Sequence, residues 1–121
     1  MIYGRIRDRF PYVRLDLPGL SGPLSIEFLV DTGFDGALSL PLSMINRLDA
    51  VPLDDLRLIR LANGSPGMSD GYEVSLEWGD EIRLVEILTL DNVPLLGMEL
   101  LNGFHLGIDI IEGGEVEITP L

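Results

Sequence analysis

The run Phe28-Leu29-Val30-Asp31-Thr32-Gly33-Phe34-Asp35-Gly36-Ala37-Leu38-Ser39-Leu40 reads as an apolar strand that breaks at an acid, a hydroxyl and a glycine and then resumes as an apolar strand. Val30 before the break and Ala37-Leu38 after it leave Asp31 half buried, where an ionised carboxylate needs hydrogen bonds or a partner to offset lost hydration. Thr32 and Gly33 can supply them. A threonine hydroxyl donates locally or across an interface, and glycine lets the backbone turn tightly enough to aim an N–H at a carboxylate. An acid so placed is either a structural cap on a turn or one member of an acid–base pair.

Other chemistries fit the residues less well. Asp31 to Leu42 has Asp at the first and fifth positions and Gly at the sixth of a calcium loop, but Gly33 takes the third and Leu42 the twelfth, where a bidentate acid is needed. Asp31-Thr32-Gly33 also lacks the second acid of a phosphoaspartyl site. His105 stands alone between Phe104 and Leu106 with no serine or cysteine motif nearby, and reads as a packed or surface histidine. Cysteine is absent, which removes disulfides and thiolate metal sites. Neither a metal nor a cofactor is expected.

The elements that must position Asp31 read as strands. Ile2 to Arg7 and Tyr12 to Leu17 alternate apolar and polar residues across a turn expected at Arg9-Phe10-Pro11. Leu24 to Val30 delivers Asp31. Leu40 to Leu48 changes period, with apolar positions 41, 44, 45 and 48 predicting two turns of helix. Leu56 to Leu61 and Tyr72 to Trp78 read as strands joined by a glycine-rich connection, Ala62 to Gly71. A tight turn at Trp78-Gly79-Asp80-Glu81 leads into Ile82 to Leu88, and Leu106 to Ile110 and Val116 to Ile118 close the chain around Gly113-Gly114. Eight or nine short strands with one or two short helices predict an all-β fold, a closed barrel.

The 121 residues form one domain with room for a single core. Twenty acids against eight bases give a formal charge of −12, which repels nucleic acid and anionic lipid, so neither is expected as a partner. The longest stretch without a charged residue, Gly36 to Asn46, is eleven residues and cannot span a bilayer. Met1 to Arg7 lacks an apolar signal core, so a soluble cytoplasmic protein is the expectation.

Asp31-Thr32-Gly33 after an apolar strand resembles the active-site loop of the retroviral-type, retropepsin-like aspartic peptidases. The family pattern continues with two apolar residues, a glycine and a short helical turn, matched here by Pro94-Leu95-Leu96-Gly97-Met98-Glu99-Leu100-Leu101. The resemblance covers roughly residues 20 to 119 and implies a closed acid-protease half-barrel that hydrolyses peptide bonds. Hydrolysis by carboxylates needs two of them, too close for both to ionise. This chain offers one: Ser69-Asp70-Gly71 has the wrong order, and Asp16, Asp91 and Asp109 are not followed by a hydroxyl and glycine. A two-fold homodimer supplies the second from an identical Asp31, and the dyad then titrates as a unit.

On this resemblance both Asp31 carboxyls activate water without a covalent intermediate, Thr32 hydrogen-bonds across the axis, and Gly33 lets backbone approach the peptide. Asp35 matches a position that binds substrate main chain, while Ala62, Asn63, Gly64 and the residues up to Gly67 correspond to a flap. Two departures stand out. Phe34 replaces a usually small residue and is expected to narrow the cleft or fill a subsite. Met98 stands where the retroviral enzymes carry an arginine paired with the acid matching Asp35, leaving Arg14, Arg5 or solvent as its partner. Met98, Leu100 and Leu101 are expected to pack beneath the loop. The alternative is a non-catalytic dimeric domain of the same fold for peptide binding or assembly, with Phe34 occluding the cleft. A soluble interaction module with a chance tripeptide is the third reading.

Overall fold

The computed structural model describes residues 1–60 and 63–121. Its N-terminal half is built on alternation. Strands β1 (Ile2–Arg7), β2 (Phe10–Gly19) and β3 (Gly22–Val30) form an antiparallel meander. Cross-strand pairs Val13↔Phe28 and Leu15↔Ile26 put their side chains on one buried face, and Leu17 and Val30 extend it. The first turn is Asp8-Arg9, both with positive φ (52° and 70°), a two-residue turn whose twist suits a hairpin. It lies earlier than expected because Phe10 and Pro11 join the ladder opposite Arg7 and Ile6.

The remaining elements are β4 (Leu38–Ser39), α1 (Leu42–Ile45), β5 (Val51–Pro52), β6 (Arg57–Arg60), β7 (Pro66–Ser69), β8 (Gly71–Trp78), β9 (Glu81–Leu88), β10 (Leu95–Leu96), α2 (Met98–Leu101), β11 (Phe104–Ile108) and β12 (Glu115–Pro120). The chain is therefore all-β with two short helices. Ten strands form one sheet in the order β11-β12-β1-β2-β3-β10-β4-β9-β8-β5, and β6 and β7 form a separate hairpin. β7 falls inside the glycine-rich connection expected from Ala62 to Gly71.

The expected closed barrel is not found. The sheet ends at β11 and β5, and no ladder joins those edges among the described residues. β5 cannot carry one: it is two exposed residues, one a proline without an N–H. The sheet instead curls until β2 packs against β8. The main core is shared by Val13, Leu15 and Phe28 on one limb and Val74, Leu76, Trp78 and Ile87 on the other, with a smaller cluster of Phe34, Leu88 and Leu95 apart from it. Trp78 meets Phe104 edge-on with ring centroids 5.6 Å apart.

α1 is one turn rather than two. Pro41 precedes it in an extended conformation, and its exit tightens through Arg47 N–H to Met44 O and Leu48 N–H to Ile45 O, a three-residue spacing that ends the helix. β11 begins at Phe104, earlier than expected, which leaves Ile110 and Ile111 exposed in the loop before β12. Among the described residues no helix is long and apolar enough to cross a membrane.

Candidate active site

Asp31 leaves the sheet where β3 ends. β10 lies against that end, parallel to β3, with Leu95 opposite Leu29 and Leu96 opposite Val30. The Leu29 N–H donates to Pro94 O and the Asp31 N–H to Leu96 O, both at 2.9 Å, so the backbone of the acid is still held by the sheet. The chain then turns. Gly33 N–H donates to Asp31 Oδ1 at 2.9 Å and Phe34 N–H to Asp31 O at 3.2 Å. The expected glycine donor is thus in place, and it orients the carboxyl group.

Past the turn the chain re-enters the sheet as β4 on the opposite side of β10, with Leu38 facing Leu96 and Ser39 facing Leu95. Residues 31 to 37 therefore straddle β10. The segment that follows β10 fastens them: Gly97 N–H donates to Ala37 O (2.9 Å), Met98 N–H to Phe34 O (2.8 Å) and Glu99 N–H to Gly36 O (3.2 Å). The first N–H groups of α2, which have no partner inside so short a helix, are satisfied by carbonyls of the loop. The two sequence elements that carry the family resemblance are hydrogen-bonded to each other.

Phe34 explains two of the glycines. Its ring is 7% exposed and packs with Leu88 and Leu95, flanked by Leu29, Ile59 and Leu90. A Cβ on Gly36 would come within 2.6 Å of the ring, and one on Gly97 would lie 2.6 Å from Phe34 O and overlap Gly36 O. Only hydrogen at both α-carbons allows the ring to turn inward between them. Within the single chain the Phe34 side chain supports the loop from beneath, where the apolar floor made by Leu88 and Leu95 offers it more burial than the solvent side.

The loop presents Thr32, Gly33 and Asp35 to solvent, with Asp31 half-buried. Within the single chain the Thr32 hydroxyl has no hydrogen-bond partner among the described residues, and Asp35 makes no ion pair with Arg14, Arg5 or any other described cation. Arg14 instead reaches toward Ser25 Oγ at 3.4 Å, on the outer face of β2 and β3. Met98 is exposed rather than packed beneath the loop, whereas Leu100 and Leu101 are buried as expected. No group of three or more histidines or acids among the described residues is placed to hold a metal ion.

The β6–β7 hairpin stands beside this loop. Ile59 packs on the Phe34 cluster, and Arg57 Nε donates to Glu86 Oε2 of β9 at 3.0 Å, anchoring the hairpin base. At its tip Asn63 Oδ1 accepts the Ser65 N–H (3.0 Å) and hydroxyl (2.5 Å), an Asx turn around Gly64 with φ +85°. A cleft of about 340 Å³ is lined by Asp35 of the loop and by Leu58, Ile59, Arg60, Gly64 and Pro66 of the hairpin. Of the flap positions expected from sequence, Gly64 lines this cleft and Asn63 shapes the turn, while Ala62 lies outside the described residues.

Sequence reasoning missed Leu58, Ile59 and Arg60 of the cleft wall, Arg57 at the hairpin base, and Ser39. The Ser39 hydroxyl is fully buried and accepts the Leu90 N–H at 3.0 Å, tying β4 to the segment after β9. The period-two alternation of Arg57 to Arg60 is a usable signal for the hairpin residues; Ser39 carries none. Comparison with models of known protein families, with curated proteins and with solved structures finds no match for this chain.

Proposed function

We propose that the chain is an aspartic endopeptidase of the retropepsin-like type that works as a homodimer, each subunit giving one Asp31 to a shared dyad. One observation carries the reading: a carboxylate oriented by the N–H of Gly33 sits on a loop that straddles β10 and is bolted to the turn containing Gly97. A reacting group needs this kind of positioning, with its support supplied by backbone rather than flexible side chains.

In the dimer the two carboxyls share one proton, since like charges a few ångströms apart do not both ionise. The ionised member takes a proton from water while the protonated member donates to the scissile carbonyl oxygen, and the water oxygen bonds to the carbonyl carbon. The proton taken up then passes to the leaving nitrogen as the C–N bond breaks. Thr32, exposed and unpartnered within the single chain among the described residues, hydrogen-bonds across the axis to the second loop. The acid-protease half-barrel belongs to the same proposal, with the curled sheet as its wall.

The alternative is a non-catalytic dimeric domain for peptide binding or assembly with Phe34 occluding the cleft, and a ring buried beneath the loop within the single chain favours the peptidase over it. The experiment pairs sedimentation with cleavage of an unstructured peptide library. A dimer that cleaves peptides from acid to neutral pH, with turnover lowered by about 10²- to 10⁴-fold in Asp31→Asn, supports the reading. A monomer at assay concentration, or cleavage untouched by that substitution, refutes it.

A further inference from the structure

The cleft between loop and hairpin has walls of opposite charge. Asp35 lies on the loop side and Arg60 on the hairpin side, both exposed, and among the described residues Leu58, Ile59, Gly64 and Pro66 also line it. Neither makes an ion pair among the described residues, with each other or with any other group. Two charges of opposite sign, unpaired among the described residues, border about 340 Å³ whose other described lining is apolar or glycine, and they hold a potential difference across a space the size of a few side chains. The hairpin wall is apolar on the same exposed face: Leu58 pairs across the ladder with Met68, and both are exposed.

We propose that this cleft sorts peptides by charge, taking a segment in which two adjacent side chains carry opposite signs, the acidic one toward Arg60 and the basic one toward Asp35. The inference rests on the peptidase reading for the presence of an extended peptide. An extended strand projects successive side chains to opposite faces. A segment lying between loop and hairpin therefore sends one residue to the loop wall and the next to the hairpin wall. Opposite charges on neighbouring residues match the two walls, and like charges mismatch one of them. Arg60 suits the acid-facing role because a guanidinium presents a planar fork to a carboxylate. The chain's surplus of acids, −12 overall, does not predict this preference, since an overall field favours basic peptides alone.

The test measures binding of an unstructured peptide series to the full-length Asp31→Asn protein, which holds peptide without turning it over. One adjacent pair is varied as Gln-Gln, Gln-Glu, Lys-Gln, Lys-Glu, Glu-Lys, Lys-Lys and Glu-Glu, at every register along the peptide. Each correctly placed charge is expected to tighten binding roughly two- to fivefold at low salt, as partly exposed ion pairs do, and the gain shrinks as salt rises. Opposite-sign pairs bind tighter than either like-sign pair. Asp35→Asn erases the gain from lysine and keeps that from glutamate, while Arg60→Gln does the reverse.

Loss of both gains in both variants, equal binding of like- and opposite-sign pairs, or no charge dependence at all overturns the inference. Cleavage by the unsubstituted protein is scored separately, so a peptide-binding protein that sorts charge without turnover sinks only the peptidase reading. Both substitutions lie on exposed positions, and unchanged unfolding midpoints verify that any lost gain is not lost folding.

Discussion

Gly97→Ala tests whether the loop bearing Asp31 is set by backbone interlock. Gly97 has φ −114°, a conformation alanine adopts freely, so conformational strain contributes nothing. The cost is steric. An added methyl would meet Phe34 Cδ2 at 2.5 Å, Phe34 O at 2.6 Å and the Gly36 carbonyl closer still. The ring can shift, but the two carbonyls are fixed by the bonds they accept from Met98 and Glu99. Overpacking a tight interior typically costs about 1–3 kcal/mol, and losing one or two backbone hydrogen bonds adds about 1 kcal/mol each. The sum is about 2–5 kcal/mol, a large part of the total stability of an ordinary domain.

The assay is urea unfolding at fixed protein concentration, because the proposed dimer would make stability concentration-dependent. Gly103→Ala is the control: its φ is +87° with open space around it, so it costs about 1 kcal/mol from backbone conformation alone. The interlock predicts Gly97→Ala to be clearly worse than this control and, on the proposed peptidase reading, to reduce turnover in whatever fraction stays folded. A Gly97→Ala protein within about 0.5 kcal/mol of wild type, the range of a neutral surface substitution, would show that the loop and the turn after β10 are not locked together. The positioning of Asp31 would then need another cause.

Ser39→Ala removes the fully buried acceptor of the Leu90 N–H, and is expected to cost about 1–3 kcal/mol in the same unfolding assay because that donor is left unsatisfied. The Arg7 guanidinium, hydrogen-bonded through both nitrogens to Glu27 at 3.0 and 2.7 Å, holds the Glu27 carboxyl below the usual glutamate range. A carboxyl depressed in the folded state stabilises above its unfolded pKa, and that stability is lost as pH falls through the folded value. Wild type is therefore expected to exceed Glu27→Gln by a small, salt-sensitive margin at neutral pH. The margin vanishes in acid below the usual glutamate range; a margin that persists there assigns the effect to packing rather than charge.

Alternation makes the three-stranded meander and the β8–β9 hairpin legible in the chain alone, because a period of two is a local property. Val13, Leu15 and Leu17 face one way with no help from distant residues. The turn at Gly79-Asp80 is equally plain. The candidate acid and its glycine donor are legible for the same reason: Asp31 and Gly33 are two residues apart and satisfy each other. β4 is legible as the apolar strand that resumes after the loop, but β5 and β10 are not, since two residues show no period, and they exist only because the sheet offers them partners.

The direction of Phe34 escapes sequence reasoning. A ring beside an exposed acid can go either way, and the choice belongs to Leu88 and Leu95, more than fifty residues downstream, with Gly36 and Gly97 clearing its path. The same holds for the cleft. Asp35 and Arg60 are ordinary charges in the chain, twenty-five residues apart, and become opposing walls only when the hairpin lays Ile59 on the Phe34 cluster. Short-range chemistry is written in neighbouring side chains, whereas the enclosure around it depends on which distant strands pair, and that is decided by burying the most apolar surface at once.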